Sequence, residues 1–434
     1  MKQVLDLHIH SKFSRACSKN LFLEKIAISA AQKGVNIIAT GDFTHPAWFK
    51  EIENKLETCL INKKETGLYK VKEDILKQEL NLNNANLITN KIETKFILGT
   101  EVSLIYKDGD RARRIHLVIH APSIEAVREL NNQLGKSYNI KSDGRPILGI
   151  KAPELIKLCL AIHPKFLIYP AHIWTPWFSV FGSKSGFNTL EECFKEQTEY
   201  IYAFETGLSS DPEMNWRLSA LDKLTVLSNS DAHSLPNIGR EANIMDLTDI
   251  TYEEIYQVIK NKDLKKLKGT IEFYPEEGMY HFDGHRDCGF SCTPTESKKH
   301  KNICPVCKKP LIIGVMNRVE ELADRLEGHI PKNATPFKKT VELDKIIAEA
   351  LNIKSRSSQK VQVEYNNLLQ KLGSELDILL EIDINEIKKY SSARIAEGVE
   401  RVREGNLLIK PGFDGQYGEV KVFSDSLEQQ KSLF

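Results

Sequence analysis

From residue 1 to about 275, short apolar runs alternate with stretches in which apolar residues recur every three to four positions. The first run, Val4 to Ile9, precedes a helical pattern over Leu21 to Lys33, and a second run covers Val35 to Thr40. Later runs are Phe96 to Tyr106, Ile115 to His120, Phe166 to Ala171, Ile201 to Glu205 and Thr225 to Ser228. Strands and helices in that order predict an α/β fold with a parallel sheet closed into a barrel. Residues 54 to 95, rich in Lys, Asn and Glu, break the rhythm and are expected to form a solvated excursion without chemistry. Residues 107 to 114 read as a charged hairpin tip carrying Arg111, Arg113 and Arg114.

Beyond residue 275 the alternation stops. Two cysteine pairs follow, Cys288 with Cys292 and, after eleven intervening residues, Cys304 with Cys307. Two tight turns of this kind supply four thiolates for one tetrahedral structural zinc, which would contribute ~10 kcal/mol or more to folding so small a module. His281 and His285 lie close by, but four cysteines already fill the shell; the basic stretch Lys298-Lys299-His300-Lys301 between the pairs is suited to a phosphate backbone or to plain solvation. From Val315 onward the spacing is helical, over Val319 to Leu326, Val341 to Leu351, Val361 to Leu380 and Ile384 to Val402. One β-like piece interrupts it, Leu407 to Ile409 and Glu419 to Phe423 around a glycine-rich turn. The expected division is therefore a barrel over 1–275, a zinc module over 276–315, a mainly helical domain over 316–425 and a tail over 426–434, with Lys332 to Lys339 as a linker.

Composition narrows the function. Lys and Arg number 60 against 59 Asp and Glu, so no global basic field marks a polyanion partner. No run approaches the ~20 apolar residues of a membrane span, and the N-terminus lacks a basic-then-apolar leader, so a cytoplasmic protein without a membrane partner is expected.

The polar residues that matter sit at the ends of the predicted strands. His8 and His10, two positions apart, share a face of the first strand. Asp42 and His45 follow the second, Glu101 and His116 lie in the next two, and His172, Glu205 and the segment Asn229-Ser230-Asp231-Ala232-His233 come later. Imidazoles and carboxylates gathered at one barrel rim suit divalent ions, and a carboxylate such as Glu101 can bridge two of them. A multinuclear hydrolytic centre follows from that set.

The same residues resemble the PHP (polymerase and histidinol phosphatase) superfamily of metal-dependent phosphoesterases: His8-Ile9-His10, Glu101, His116, His172 and Asp231-Ala232-His233 match its motifs in order. The segments Pro170 to Trp177, Glu205 to Ser210, Met214 to Leu221 and Pro411 to Gly415, with the cysteine module, are similar to the endonuclease Q family over nearly the whole chain. The resemblance implies a distorted (β/α)7-type PHP barrel holding two or three divalent ions (Zn, Mn or Mg), with one structural zinc beyond it. It implies a repair endonuclease that nicks DNA 5′ to uracil, hypoxanthine, xanthine or an abasic site and leaves 3′-hydroxyl and 5′-phosphate ends. Asp231 and Glu101 would be catalytic, and His8, His10, Glu101, His116, His172 and Asp231 would hold metal. Two departures from the wider PHP pattern, Ser14-Arg15 and Asp42-Phe43, leave His45 to replace a missing imidazole and, with His233, to hold a third ion. Glu205, Ser209 and Asn229 are candidates to read an extruded base, and Trp174 to stack on it. The alternatives are a PHP phosphatase acting on a small metabolite and a catalytically silent DNA-binding accessory. The last residues, with Gln430, Leu433 and Phe434, resemble a peptide that docks repair enzymes on the DNA sliding clamp.

Overall fold

The computed structural model describes residues 1–82 and 93–423. Strands β1 (Lys2–Asp6) and β2 (Ile37–Ala39) run parallel, with Leu5 opposite Ile37. The helix between them, Leu23–Lys33, buries Leu23, Ile26, Ala27 and Ala30 and stops at Gly34, whose φ of 90° lets its N–H reach back to the Ala30 carbonyl. Full burial of each larger aliphatic side chain contributes roughly 1.5–3 kcal/mol. Hairpin strands β3 (Leu56–Ile61) and β4 (Lys64–Val71) extend the sheet beyond β5 (Lys95–Ile97).

Here the chain departs from the expectation for residues 54 to 95. Leu56, Leu68, Tyr69 and Val71 are buried, so the first half of that excursion is a hairpin with an apolar face, followed by the helix Glu73–Leu82. Its high charge masked an alternation of short period. Residues 83–92, with Asn83, Asn84 and Asn86, lie outside the described residues.

The run Phe96 to Tyr106 divides at Leu98. Strand β5 stays in the first sheet, while β6 (Gly99–Asp108) opens a second with β7 (Arg111–His120), β8 (Ile147–Leu148) and β9 (Leu167–Pro170). The short link between β6 and β7 confirms the charged hairpin tip. The parallel pair β10 (Ala203–Glu205) and β11 (Thr225–Leu227) follows, then β12 (Ala242–Asp246) and β13 (Leu267–Glu272), which return to β1. Hydrogen bonds join the pieces, among them Ala121 N–H to the Leu98 carbonyl (3.1 Å), Ile173 N–H to the Glu205 carbonyl (3.2 Å), Ser228 N–H to Asn243 Oδ1 (3.1 Å) and His10 N–H to the Ala232 carbonyl (3.1 Å). The result is a distorted barrel. Its sheet is mixed, not parallel, because β7 runs against both β6 and β9 and β12 runs against both β1 and β13.

The cysteine module follows with the antiparallel strands β14 (Asp283–His285) and β15 (Phe290–Cys292). The end of the segment expected to be a linker instead forms β16 (Phe337–Lys339), which pairs in parallel with β13, Thr270 opposite Phe337. The C-terminal region is helical as the spacing predicts, over Leu343–Ala350, Gln359–Leu372, Glu375–Leu380, Ile384–Tyr390 and Ala393–Glu404. Gly373, at φ 106°, divides the expected run Val361 to Leu380. Lys33 Nζ from the barrel meets Glu375 at 2.6 Å in a buried ion pair that also receives the Tyr365 hydroxyl at 2.6 Å, fixing the helical domain to the barrel. Strands β17 (Leu408–Lys410) and β18 (Glu419–Lys421) complete the fold, and the turn between them packs on the module through Phe282 N–H and the Gly412 carbonyl (3.0 Å).

Candidate metal centre and its surroundings

His8 and His10 lie just past the end of β1, where the chain leaves the sheet and both imidazoles are buried. Ligand atoms of His8, His10, Glu101 and Asp231 lie within 4.8 Å of one another, and so do those of Glu101, His116 and His172. Glu101 belongs to both groups. Its Oε1 stands 2.8 Å from His116 Nδ1 and 3.0 Å from His172 Nε2, while its Oε2 stands 3.3 Å from His10 Nε2 and 3.7 Å from His8 Nε2. One carboxylate thus offers an oxygen to each of two cation positions.

The donor set fits divalent ions. His8 Nε2, His10 Nε2 and Asp231 Oδ1 are buried without a hydrogen-bond partner, a costly arrangement for polar atoms unless a ligand completes them. The opposite nitrogens are occupied: His8 Nδ1 meets Glu205 Oε1 at 3.0 Å, and His10 Nδ1 meets Asp42 Oδ1 at 3.0 Å. Each carboxylate therefore holds its imidazole with the lone pair of Nε2 facing the cluster. Burial opposes charging of His8, but the Glu205 and Glu101 carboxylates outweigh it and raise its pKa well above the ordinary value, so the pocket favours positive charge at Nε2, whether a proton or a metal ion. Burial pushes His116 down to about 4 against the pull of Glu101, which keeps that ring neutral and able to coordinate. Burial would also raise Glu101, but the positive charge of Arg145 and His8 around it holds it well below the usual carboxylate range.

Backbone geometry fixes the rest. Asp231 sits at φ 46° in a turn held by Ser230 N–H on Asp6 Oδ1 (3.1 Å) and by Arg240 Nε on the Ser230 carbonyl (3.0 Å). His172, at φ 30°, is clasped by its own N–H on Glu205 Oε2 (2.9 Å), and a side chain at Gly207 would strike its Cβ.

Several sequence-based expectations need correction. Glu205 is fully buried, and both its oxygens are engaged by His8, the His172 N–H and Asn229 Nδ2 (2.8 Å), so no oxygen is left to read a base. Asn229 is equally buried and accepts the Leu7 N–H at 2.9 Å. Trp174 is a core residue whose Nε1–H bonds Asn215 Oδ1 at 2.7 Å. His45 precedes the helix Pro46–Lys55 and stacks on Phe13 at 4.4 Å, and His233 turns its Nδ1 to the Asp231 carbonyl at 2.8 Å. Neither joins the ligand groups, so this geometry forms no third position through them.

Of the expected base readers, Ser209 lines a cavity. It shares about 290 Å³ with Thr175, Trp177, Tyr280, His281 and Tyr417, among others. The Thr175 hydroxyl lies 3.2 Å from His172 Nδ1, so the cavity abuts the metal centre. Trp177 and Tyr417 are exposed beside it.

In the cysteine module the converging ligand atoms come from His285, Cys288, Cys304 and Cys307, a set that fits zinc. Cys292 is outside that set, which corrects the expectation of four thiolates. In the hairpin His285 pairs with Phe290 next to the turn, whereas Cys292 pairs with Asp283, two residues and ~7 Å further along the strand. Cys292 is buried among Cys304 and Leu311.

A family model named MJ0043 C-terminal domain matches residues 342–406, the helical region. The chain is 30% identical over 262 residues to the uncharacterized protein MJ0043 of Methanocaldococcus jannaschii, across 59% of this chain, and it spans about a third (32%) of that protein's length. It is 25% identical to the uncharacterized protein YqxK of Bacillus subtilis, across 97% of this chain and 100% of that protein. Among solved structures, it is similar to the lesion-specific endonuclease PfuEndoQ from Pyrococcus furiosus, with a TM-score of 0.82, 29% identity and full coverage of both chains. It is also 30% identical to endonuclease Q in complex with a 27-mer duplex substrate bearing an abasic lesion at the active site, with a TM-score of 0.81 and coverage of 99% of this chain and 98% of that one. The chain belongs to the endonuclease Q family. The paired ligand groups around Glu101 are where divalent metals would fit. No described helix is long and apolar enough to cross a membrane.

Proposed function

We propose that this enzyme repairs DNA by hydrolysing the phosphodiester bond 5′ to a deaminated base or abasic site, leaving 3′-hydroxyl and 5′-phosphate ends. The observation that carries the reading is the sharing of Glu101 between two ligand groups at one rim, in a chain similar over its length to an endonuclease captured on lesion-bearing duplex. His8, His10, Glu101 and Asp231 would hold one divalent ion, and Glu101, His116 and His172 a second. Such ions supply an activated water and neutralise the charge that grows on the phosphate. Glu205 and Asp42 orient the ligand imidazoles, and the Asp231 carboxylate, partly open at the rim, accepts the proton released as attack begins.

A damaged base is reached by extrusion, at a cost of a few kcal/mol that is smallest for a mispaired or missing base. The 290 Å³ cavity receives it. Ser209 and His281, whose Nδ1 is buried without a partner, supply polar contacts there, while Trp177 and Tyr417 offer stacking faces. His285, Cys288, Cys304 and Cys307 would hold a structural zinc. The clamp-docking peptide with Gln430, Leu433 and Phe434 lies outside the described residues. It rests on its sequence pattern, and a labelled peptide carrying residues 430–434 that shows no saturable binding to the cognate clamp would dismiss it.

The test is incubation with duplex oligonucleotides bearing uracil, hypoxanthine, xanthine or an abasic site, with divalent metal, followed by mapping of the cut. Nicking on the 5′ side of the lesion supports the reading. Release of inorganic phosphate from small phosphomonoesters without nicking would replace it with a metabolite phosphatase.

A further inference from the structure

One cation intrudes on the ligand cluster. Arg145 Nη1 donates to Glu101 Oε2 at 3.0 Å, and among the described residues no other Lys or Arg pairs with a carboxylate of the two ligand groups. The side chain keeps 27% of its surface exposed at the rim, and among the described residues its remaining N–H groups make no hydrogen bond.

Its placement is built. The Gly144 N–H bonds the Phe13 carbonyl (3.1 Å), the Arg145 N–H bonds Asp143 Oδ1 (3.1 Å), and the Pro146 carbonyl accepts the Ser103 N–H (3.0 Å). Asp143 is itself held by Arg15, through Nε at 3.1 Å and the backbone N–H at 3.3 Å. Gly144 passes so near Asp42 and Ser14 that a Cβ there would overlap Asp42 Oδ2 and Ser14 Oγ. The segment is pinned on both sides of Arg145 and pressed onto the shell that orients His10. A guanidinium fixed beside a bridging carboxylate is an expensive arrangement if its only task is to neutralise a group that two cations would neutralise in any case.

We infer that Arg145 is a catalytic residue that grips a non-bridging oxygen of the scissile phosphate, using the N–H groups that face the rim while Nη1 stays on Glu101. The planar fork of a guanidinium suits a phosphate edge, and its charge persists at every working pH. It stabilises the additional negative charge that the phosphoryl oxygens carry in the transition state. The inference rests on the cluster being a phosphodiester-cleaving centre, but it does not depend on which lesion is recognised.

Arg145→Ala and Arg145→Lys would be compared with wild type on uracil-containing duplex and on bis(p-nitrophenyl) phosphate, with bound metal counted by plasma mass spectrometry. Arg145→Ala should lose about 10²- to 10³-fold in kcat on both substrates with metal content unchanged. Arg145→Lys should recover less than a tenth of the loss, since it restores charge without the fork. On duplexes with a single phosphorothioate at the cleaved position, wild type should discriminate between the diastereomers, and Arg145→Ala should discriminate about tenfold less. A purely structural prop for Glu101 would lower metal content and leave the diastereomer ratio alone, and that result overturns the inference, as does a rate within threefold of wild type. Wild type that cleaves the small diester but ignores lesion DNA would refute the repair reading and leave the role of Arg145 standing.

Discussion

Replacing Asp42 by Asn should cost metal, although Asp42 is not itself a ligand. The carboxylate is fully buried and serves four donors: Oδ1 faces His10 Nδ1 at 3.0 Å, and Oδ2 takes the Ser11 N–H at 2.7 Å, the Ser11 hydroxyl at 2.6 Å and the Ser14 hydroxyl at 2.9 Å. Asn is nearly isosteric but has one acceptor where Asp has two. If its oxygen takes the Oδ2 place, the NH2 faces His10 Nδ1 and forces that nitrogen to accept; the ring proton then moves to Nε2, the atom that should coordinate. If the amide turns over, the NH2 meets the Ser11 backbone N–H, which cannot rotate away. Either orientation leaves a buried donor unmatched, and loss of such a carboxylate behind a ligating His typically lowers metal affinity 10- to 100-fold. The expected deficit is thus about 1.4 to 2.8 kcal/mol of binding. Competition with a chromophoric chelator would measure it, with Asp42→Asn and wild type titrated side by side and circular dichroism confirming the fold. Affinity within threefold of wild type would refute the claim that Asp42 sets the His10 tautomer.

Four further outcomes are expected. Glu101→Ala should abolish nicking and reduce bound metal by both positions, whereas Asp231→Ala should abolish nicking with loss at one; near-normal cutting by either variant contradicts the two-position centre. His285→Ala and Cys304→Ser should each cost one zinc per chain and lower the melting temperature, whereas Cys292→Ser should retain the zinc, which elemental analysis decides. Ser209→Ala should slow incision at uracil more than at an abasic site, and equal loss on both would return Ser209 to the scaffold. Burial raises Glu272 from its ordinary 4.5 to about 8, so the stability linked to its protonated form is fully present below the ordinary value and is lost as pH rises through about 8. Glu272→Gln should therefore weaken the decline in urea midpoint between pH 5 and 8, and identical slopes in variant and wild type would exclude a protonated Glu272.

The ligands were legible because His8, Glu101 and His116 interrupt apolar runs while His10, His172 and Asp231 follow them, and a barrel gathers such positions at one rim. The supporting shell was not. Glu205 has the same strand-end signature as a ligand, and only the closing of β10 against β9 shows that it lies beneath His8 and not at the rim. Arg145 precedes a two-residue strand in a polar segment with no periodicity, and its distance from Glu101 along the chain hides a contact made by a folded loop. Cys292 looked equivalent to Cys288 because spacing records separation along the chain, whereas a hairpin sends its two ends apart. The mixed direction of the sheet escaped notice for a similar reason: apolar runs show where strands lie and not which way they point.

The pairing of β16 with β13 bears on how the molecule responds to damage. The chain leaves the barrel after β13, builds the cysteine module, and re-enters the same sheet before starting the helical domain. The module is consequently a detour whose two ends are bookended by adjacent strands. A protease cut at its exposed Val306 would sever the backbone without separating the halves, because the β13–β16 ladder and the buried Lys33 and Glu375 pair both lie outside the detour. Such a nicked molecule would migrate as two fragments in denaturant and as one particle in a sizing column, with the barrel rim undisturbed.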